Sequence, residues 1–177
     1  MLKTKVAVAS LVSLSLIGLA GCGSISNTTS NASAPTAKTV AEKKPVVTKP
    51  STATQIVAAL KKSSLPVGKT DVYTASNDPN HLLGRPGEYT SKVNFIDTRV
   101  KEAVSGGIEI SNGGSIEVFP NTTSAKKRYT YISSIAQSAP MFEEYDYLDG
   151  KVLMRISDDL TPTQEKQYVA DLKKILG

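Results

Sequence analysis

The sequence predicts an α+β domain: an antiparallel sheet of about five strands with helices packed on one face, preceded by a signal peptide and a disordered linker. Three observations lead there. Thr52-Ala53-Thr54-Gln55 and Thr161-Pro162-Thr163-Gln164 have capping-box spacing, and each precedes an amphipathic pattern. The segments 91–98 and 114–119 alternate apolar and polar residues with the period of a strand. Asp149-Gly150 separates two further alternating runs and is a strong hairpin signal, with positive φ expected at both turn positions. Hairpin-sized links between successive strands favour antiparallel pairing.

Composition divides the chain in two. Of 21 Lys/Arg and 16 Asp/Glu, six cations and one carboxylate precede residue 53, and fifteen of each follow it. The net charge of +5 therefore belongs to the first part, and the remainder is neutral. All ten aromatic residues lie between Tyr73 and Tyr168, so only the neutral part can build a core. A neutral domain is a poor ligand for nucleic acid, and no nucleic-acid partner is expected. The single cysteine rules out an internal disulfide, a cysteine-based zinc cluster and a CxxC pair.

The elements follow in order from about Thr52 to Gly177. Ile56, Val57, Ala59 and Leu60 mark a first helix that ends near Ser63–Pro66. Lys69–Ala75 reads as a strand around Val72 and Tyr73. Ser91–Thr98 is a second, with Val93 and Phe95 on one face, and Gly114–Phe119 another, with Ile116 and Val118 opposed to Glu117. Between them, Arg99–Gly113 offers an edge hairpin around Ile108 and Ile110, flanked by two Gly-Gly pairs. Asn121–Gln137 is a central helix with Ala125, Tyr129, Ile132 and Ile135/Ala136 as its stripe, capped by Asn121 or Thr122. Its basic cluster Lys126–Arg128 reads as a solvated face. Glu143–Leu148 and Lys151–Ile156 form the hairpin. Tyr168, Val169, Leu172, Ile175 and Leu176 line the last helix, which has Pro162 at its first position.

The N-terminal part addresses the protein rather than folding it. Lys3 and Lys5 precede an apolar run, Val6–Leu19, of fourteen residues. A membrane-spanning helix needs roughly 20. The run fits the short core of a signal peptide over residues 1–21. It closes on Leu19-Ala20-Gly21-Cys22, which resembles the lipobox of bacterial lipoproteins. That resemblance implies cleavage after Gly21 and diacylglyceryl attachment to the Cys22 thiol, with the membrane as partner through the lipid. Two acyl chains make such anchoring stable at about 0.8 kcal/mol per buried methylene. Residues 22–51 then form a Ser/Thr/Lys/Pro linker without aromatics, too polar to fold, with an average reach near ~30 Å. Its lysines Lys38, Lys43, Lys44 and Lys49 keep it soluble or touch anionic headgroups.

The segment from Asn77 to Tyr89 is the candidate binding loop. It joins two strands, is too long for a tight hairpin, and is dense in turn formers: Asn77, Asp78, Pro79, Asn80, Gly84, Pro86 and Gly87. Asn77, Asp78, Asn80, His81, Arg85, Glu88 and Tyr89 supply its polar groups, and Asp97 and Arg99 are placed to join them. The alternative is structural: Asp78 caps a turn, Arg85 pairs internally, and Leu82 and Leu83 plug the core. His81 is the only imidazole and no nucleophile elbow accompanies it, so no catalytic residue is assigned. Asp78 and Asn80 fit no calcium-loop spacing, and neither a metal nor a cofactor is implied.

The run from Asn77 to Lys92 (NDPNHLLGRPGEYTSK), Phe95–Arg99, Gly113–Phe119 and Leu153–Ile156 resemble a group of small lipoproteins of mainly Gram-positive bacteria, over most of residues 55–176. The resemblance implies the outer face of a cell membrane as the location and carries over no catalytic role. The function expected is an extracytoplasmic binding or interaction module for an envelope protein or small ligand. The alternative is a small envelope enzyme or an inhibitor of one.

Overall fold

The computed structural model describes residues 48–101, 104 and 106–177. The expected signal peptide, the lipidation site Cys22 and most of the linker lie outside the described residues. Eight main elements follow: α1 (Ala53–Lys62), β1 (Val67–Val72), β2 (Ser91–Asp97), β3 (Gly113–Val118), α2 (Thr122–Ser138), β4 (Glu144–Asp149), β5 (Val152–Ser157) and α3 (Pro162–Leu176). The sheet runs in the order β1-β2-β3-β5-β4, and every neighbouring pair is antiparallel. The α+β class and the five-stranded antiparallel sheet are therefore as the sequence predicts.

The caps form as the residue types require. The Thr52 hydroxyl accepts from the Gln55 amide while Gln55 Oε1 accepts from the Thr52 amide, and Thr161 and Gln164 repeat the arrangement at α3. Asn121 Oδ1 accepts from the Ser124 amide at 2.8 Å and starts α2. Each cap satisfies donors that a helix start otherwise leaves open.

The core lies on one face of the sheet. Val93 and Phe95 of β2, Ile116 and Val118 of β3, and Met154 and Ile156 of β5 pack against Ile56 and Leu60 of α1 and Tyr168 and Leu172 of α3. The Phe95 and Tyr168 rings stack at 5.5 Å between centroids. The third helix departs from the expectation that all helices share this face. α2 lies across the opposite face, where Ala125 packs with Tyr89, Phe119 and Leu153. The reason is in β3, all six of whose residues are buried. Ser115 and Glu117 alternate with Gly114, Ile116 and Val118, so they point away from the main core and need a cover of their own.

Two segments differ from their expected form. The described residues of the expected edge hairpin at Arg99–Gly113 form no strand before β3, and a single 3-10 turn at Ile110–Asn112 precedes it. The β4–β5 hairpin exists, but its two-residue turn is Gly150-Lys151, with Asp149 paired to Val152 and positive φ at Gly150 alone. The one-residue displacement of the turn sets Asp146 directly opposite Arg155.

Close approach of backbones fixes Gly114. A Cβ there would lie 2.6 Å from the Arg155 carbonyl oxygen and 2.8 Å from the Phe95 ring, inside van der Waals contact. Gly114→Ala should cost about 3 kcal/mol, read as a lower urea midpoint, whereas Gly84→Ala at an open turn should cost less. Equal midpoints for Gly114→Ala and wild type would contradict the packing described.

Candidate functional site

The Asn77–Tyr89 loop is wound around one carboxylate. Asp78 is fully buried. Its Oδ2 accepts from the Leu82 amide at 2.9 Å, the Leu83 amide at 3.1 Å and the Tyr89 hydroxyl at 2.6 Å, and its Oδ1 from the Asn80 amide at 3.4 Å. Burial alone would raise this carboxyl. The hydrogen bonds, with the Lys92 charge behind them, overcome that and hold it below its ordinary range. Burial and the bond to Asp78 push the Tyr89 phenol up. Asn80 Nδ2 donates to the same phenol at 3.4 Å, and Asn77 Oδ1 accepts from the Thr74 amide at 2.6 Å. The His81 amide closes a turn onto the Asp78 carbonyl at 2.9 Å, and His81 itself then takes a left-handed conformation, φ 53°.

Of the expected loop residues, Asp78, Asn80 and Tyr89 are thus tied to one another, and Asn77 ties the approach. His81 and Arg85 are exposed, and Glu88 is half-buried. Asp97 and Arg99 do not join them. The parity of β2 turns Asp97 to the main core face, where Arg99 Nε donates to it at 2.9 Å and the Tyr168 hydroxyl at 2.7 Å. Burial of Asp97 is outweighed by these bonds, which keep its carboxyl below the usual range, while burial and the same bond push the Tyr168 phenol up.

A large recess lies on the other face. A cleft of about 1030 Å³ opens over β2 and β5, bounded by α2, the inner edge of the loop and the 108–111 segment. Lys92, Asn94, Arg155 and Ser157 belong to its floor, and Pro79, Asn80, Leu82 and Glu88 bring the loop to its wall. Beneath runs a buried charge network. Glu117, fully buried in β3, accepts from Arg128 Nε at 3.2 Å and from Arg155 Nη1 at 3.5 Å. Arg155 Nε donates to Glu144 at 2.8 Å and lies 3.8 Å from Asp146.

Lys92 differs from the two arginines. Its side chain is 3% exposed, and its Nζ stands 3.7 Å from Asp78 and 3.9 Å from Glu117. The Tyr73 and Tyr89 ring centroids lie 5.0 and 5.4 Å away, within cation–π range. It makes no hydrogen bond among the described residues. Burial lowers its pKa against the opposing pull of Glu117 and Asp78. Asn94 Nδ2 donates to the Ile108 carbonyl at 2.7 Å and holds the far wall, while Asn94 Oδ1 and Ser115 Oγ are buried without partners.

Sequence reasoning missed this floor, because a charged residue alternating with apolar ones in a strand reads as solvent-facing. The available signal was joint: Lys92, Glu117 and Arg155 occupy one face of three strands, and the apolar stripe of α2 needs a surface to cover. Chemically, the floor offers one unengaged ammonium among compensated charges, beside aliphatic walls. Among the described residues no group of three or more His, Cys, Asp or Glu side chains is arranged for a metal ion, and no helix is long and apolar enough to cross a membrane. No protein-family model, curated protein or solved structure matches the chain.

Two predictions concern these carboxylates. Asp78→Ala removes an acceptor shared by three amides and a phenol and leaves Lys92 one counterion short; a loss of about 3 kcal/mol is expected in chemical denaturation. Asp146 behaves oppositely to Asp78. Burial, then the Glu144 charge, push its carboxyl up to about 7. A carboxyl raised in the folded state stabilises most below its unfolded pKa and loses that contribution as pH rises toward 7. Asp146→Asn should therefore flatten the fall in stability between pH 4 and 7 and be more stable than wild type at pH 8, by about 1 kcal/mol or more. Parallel pH–stability curves for the two proteins would refute this.

Proposed function

We propose that the protein is a lipid-anchored extracytoplasmic binding module whose ligand occupies the cleft between α2 and the polar face of the sheet. One observation carries the binding part: a recess of about 1030 Å³ whose floor presents the buried, hydrogen-bond-free ammonium of Lys92. Recesses of this size that combine apolar walls with a few polar groups are the usual form of small-molecule sites. The resemblance of Leu19–Cys22 to a lipobox supports the anchor, and the polar linker supports a tethered domain. The loop first singled out as the contact surface contributes by its inner edge, while its Asp78 knot sets its shape. The sole imidazole, His81, is exposed and not among the cleft residues, which favours binding over imidazole chemistry.

Two measurements test the two halves. Intact-mass analysis of the membrane fraction should show a chain beginning at Cys22 with added acyl mass, and Cys22→Ala should abolish that form; an unmodified thiol at the membrane would overturn the anchor. In fragment screening by NMR, amide shifts should concentrate on Lys92, Asn94, Arg155 and the facing turns of α2. Shifts confined to α1 and α3, or to the crest of the loop at His81 and Arg85, would overturn the cleft.

A further inference from the structure

The charges around the cleft floor define what it can hold, given the cleft reading above. Lys92, Arg128 and Arg155 are the cations, and Asp78, Glu117 and Glu144 face them at hydrogen-bond or ion-pair distance. A fourth carboxyl, Asp146, is pushed toward its neutral form by burial and by Glu144. These charges are paired among themselves before any ligand arrives, so an ion placed beside Lys92 finds no unpaired partner among them; Glu88, Glu109, Lys127, Glu143 and Asp158 line the cleft further out.

The donors are also unequally engaged. Arg155 is held by Glu144 and Glu117, and Arg128 by Glu117. Lys92 Nζ alone among these cations makes no hydrogen bond to the described residues. A ligand oxygen accepting from it would sit about 3 Å away, and so within about 7 Å of both the Asp78 and Glu117 carboxylates. A carboxylate head in that place meets two like charges; a cationic head meets the ammonium itself. A carbonyl oxygen meets neither objection. The walls carry apolar side chains, Ile108 and Ile110 on one side, Ile132 and Ile135 of α2 on the other and Phe142 at the end, among polar ones such as Glu109, Lys127 and Glu143.

We propose that the cleft binds an uncharged apolar molecule through a carbonyl oxygen that accepts a hydrogen bond from Lys92 Nζ, the apolar body lying between the Ile108/Ile110 and Ile132/Ile135 walls. An acyl amide and a short apolar peptide share this chemistry.

The test is a series with one tail and three heads. Octanamide, octanoate and octylamine are titrated by NMR at pH 7.5 into the full chain carrying Cys22→Ala, which keeps protein-bound acyl groups out of the assay. Octanamide should bind at least tenfold more tightly than either ion, with shifts at Lys92 and along α2, and acetamide should not bind. Comparison with N-acetyl-dileucine amide distinguishes the acyl from the peptide source, and tighter binding of either fits the proposal. Lys92→Met should erase the head-group preference. Should that variant fail to fold, Phe142→Ser decides: at 59% exposure its loss should leave melting unchanged yet weaken octanamide several-fold. A charged head that binds as well as or better than the amide overturns the ligand class and leaves the cleft as the binding site. Binding of none of the three, or shifts away from the cleft, overturns both.

Discussion

The Glu117 carboxylate, buried at the centre of the sheet, is the constraint around which the second layer of this protein is arranged. A carboxylate without solvent must be paired and hydrogen-bonded, or the fold pays several kcal/mol. Three cations answer it from three elements: Lys92 on β2, Arg128 on α2 and Arg155 on β5. Arg128 thereby fixes the rotation of α2 over the sheet. Arg155 in turn holds Glu144 of the edge strand β4 and stands 3.8 Å from Asp146 of the same strand. Such a network adds little net stability compared with an apolar replacement, because desolvation offsets most of the attraction. Its effect is positional, since each partner can satisfy its charge in one arrangement only.

Asp78 extends the network to the loop. The same carboxylate that gathers the Leu82 and Leu83 amides and the Tyr89 phenol also stands beside Lys92. Loop shape and floor electrostatics are therefore one structure. The Tyr89 ring serves twice, stacking edge-on against Phe119 at 5.9 Å and flanking the Lys92 ammonium. The polar residues that mark this loop in the sequence hold it together; what it offers a ligand is its inner rim.

How much of this could be read from the chain depends on range. The capping boxes at Thr52 and Thr161, the Asn121 cap and the alternation around Phe95 and Ile116 are set within a few residues, and each appears where its local chemistry puts it. The side of the sheet taken by α2 depends on Glu117, Arg128 and Arg155, which meet only after folding. Alternation along one strand face places Asp97 and Arg99 where they could join the loop. Yet Asp97 pairs with Tyr168, seventy-one positions away, and strand parity places it on the opposite face. The hairpin turn likewise lies one residue beyond its local signal: Asp149-Gly150 proposes a register, and the pairing along the two strands decides it.

The two faces of the sheet thus use burial differently. Against α1 and α3 it produces a close-packed apolar core, with Phe95, Ile116 and Met154 fully buried, that needs no further partner. Against α2 it produces a layer in which buried charges are paired but hydrogen-bonding capacity is left over at Asn94 Oδ1, Ser115 Oγ and Asp146 Oδ1, and at Lys92, whose Nζ has only ion-pair contacts. Capacity of that kind costs stability and has no role in holding the fold, since α2 is already anchored through Ala125 and Arg128. The floor is set on three hydrogen-bonded strands, whereas its rim is made of a loop, a 3-10 turn at Ile110–Asn112 and another at Pro140–Phe142. A rigid floor fixes which polar group is accepted, and a rim of turns adjusts to the shape of the rest; that division is what a selective site for an amphipathic molecule requires.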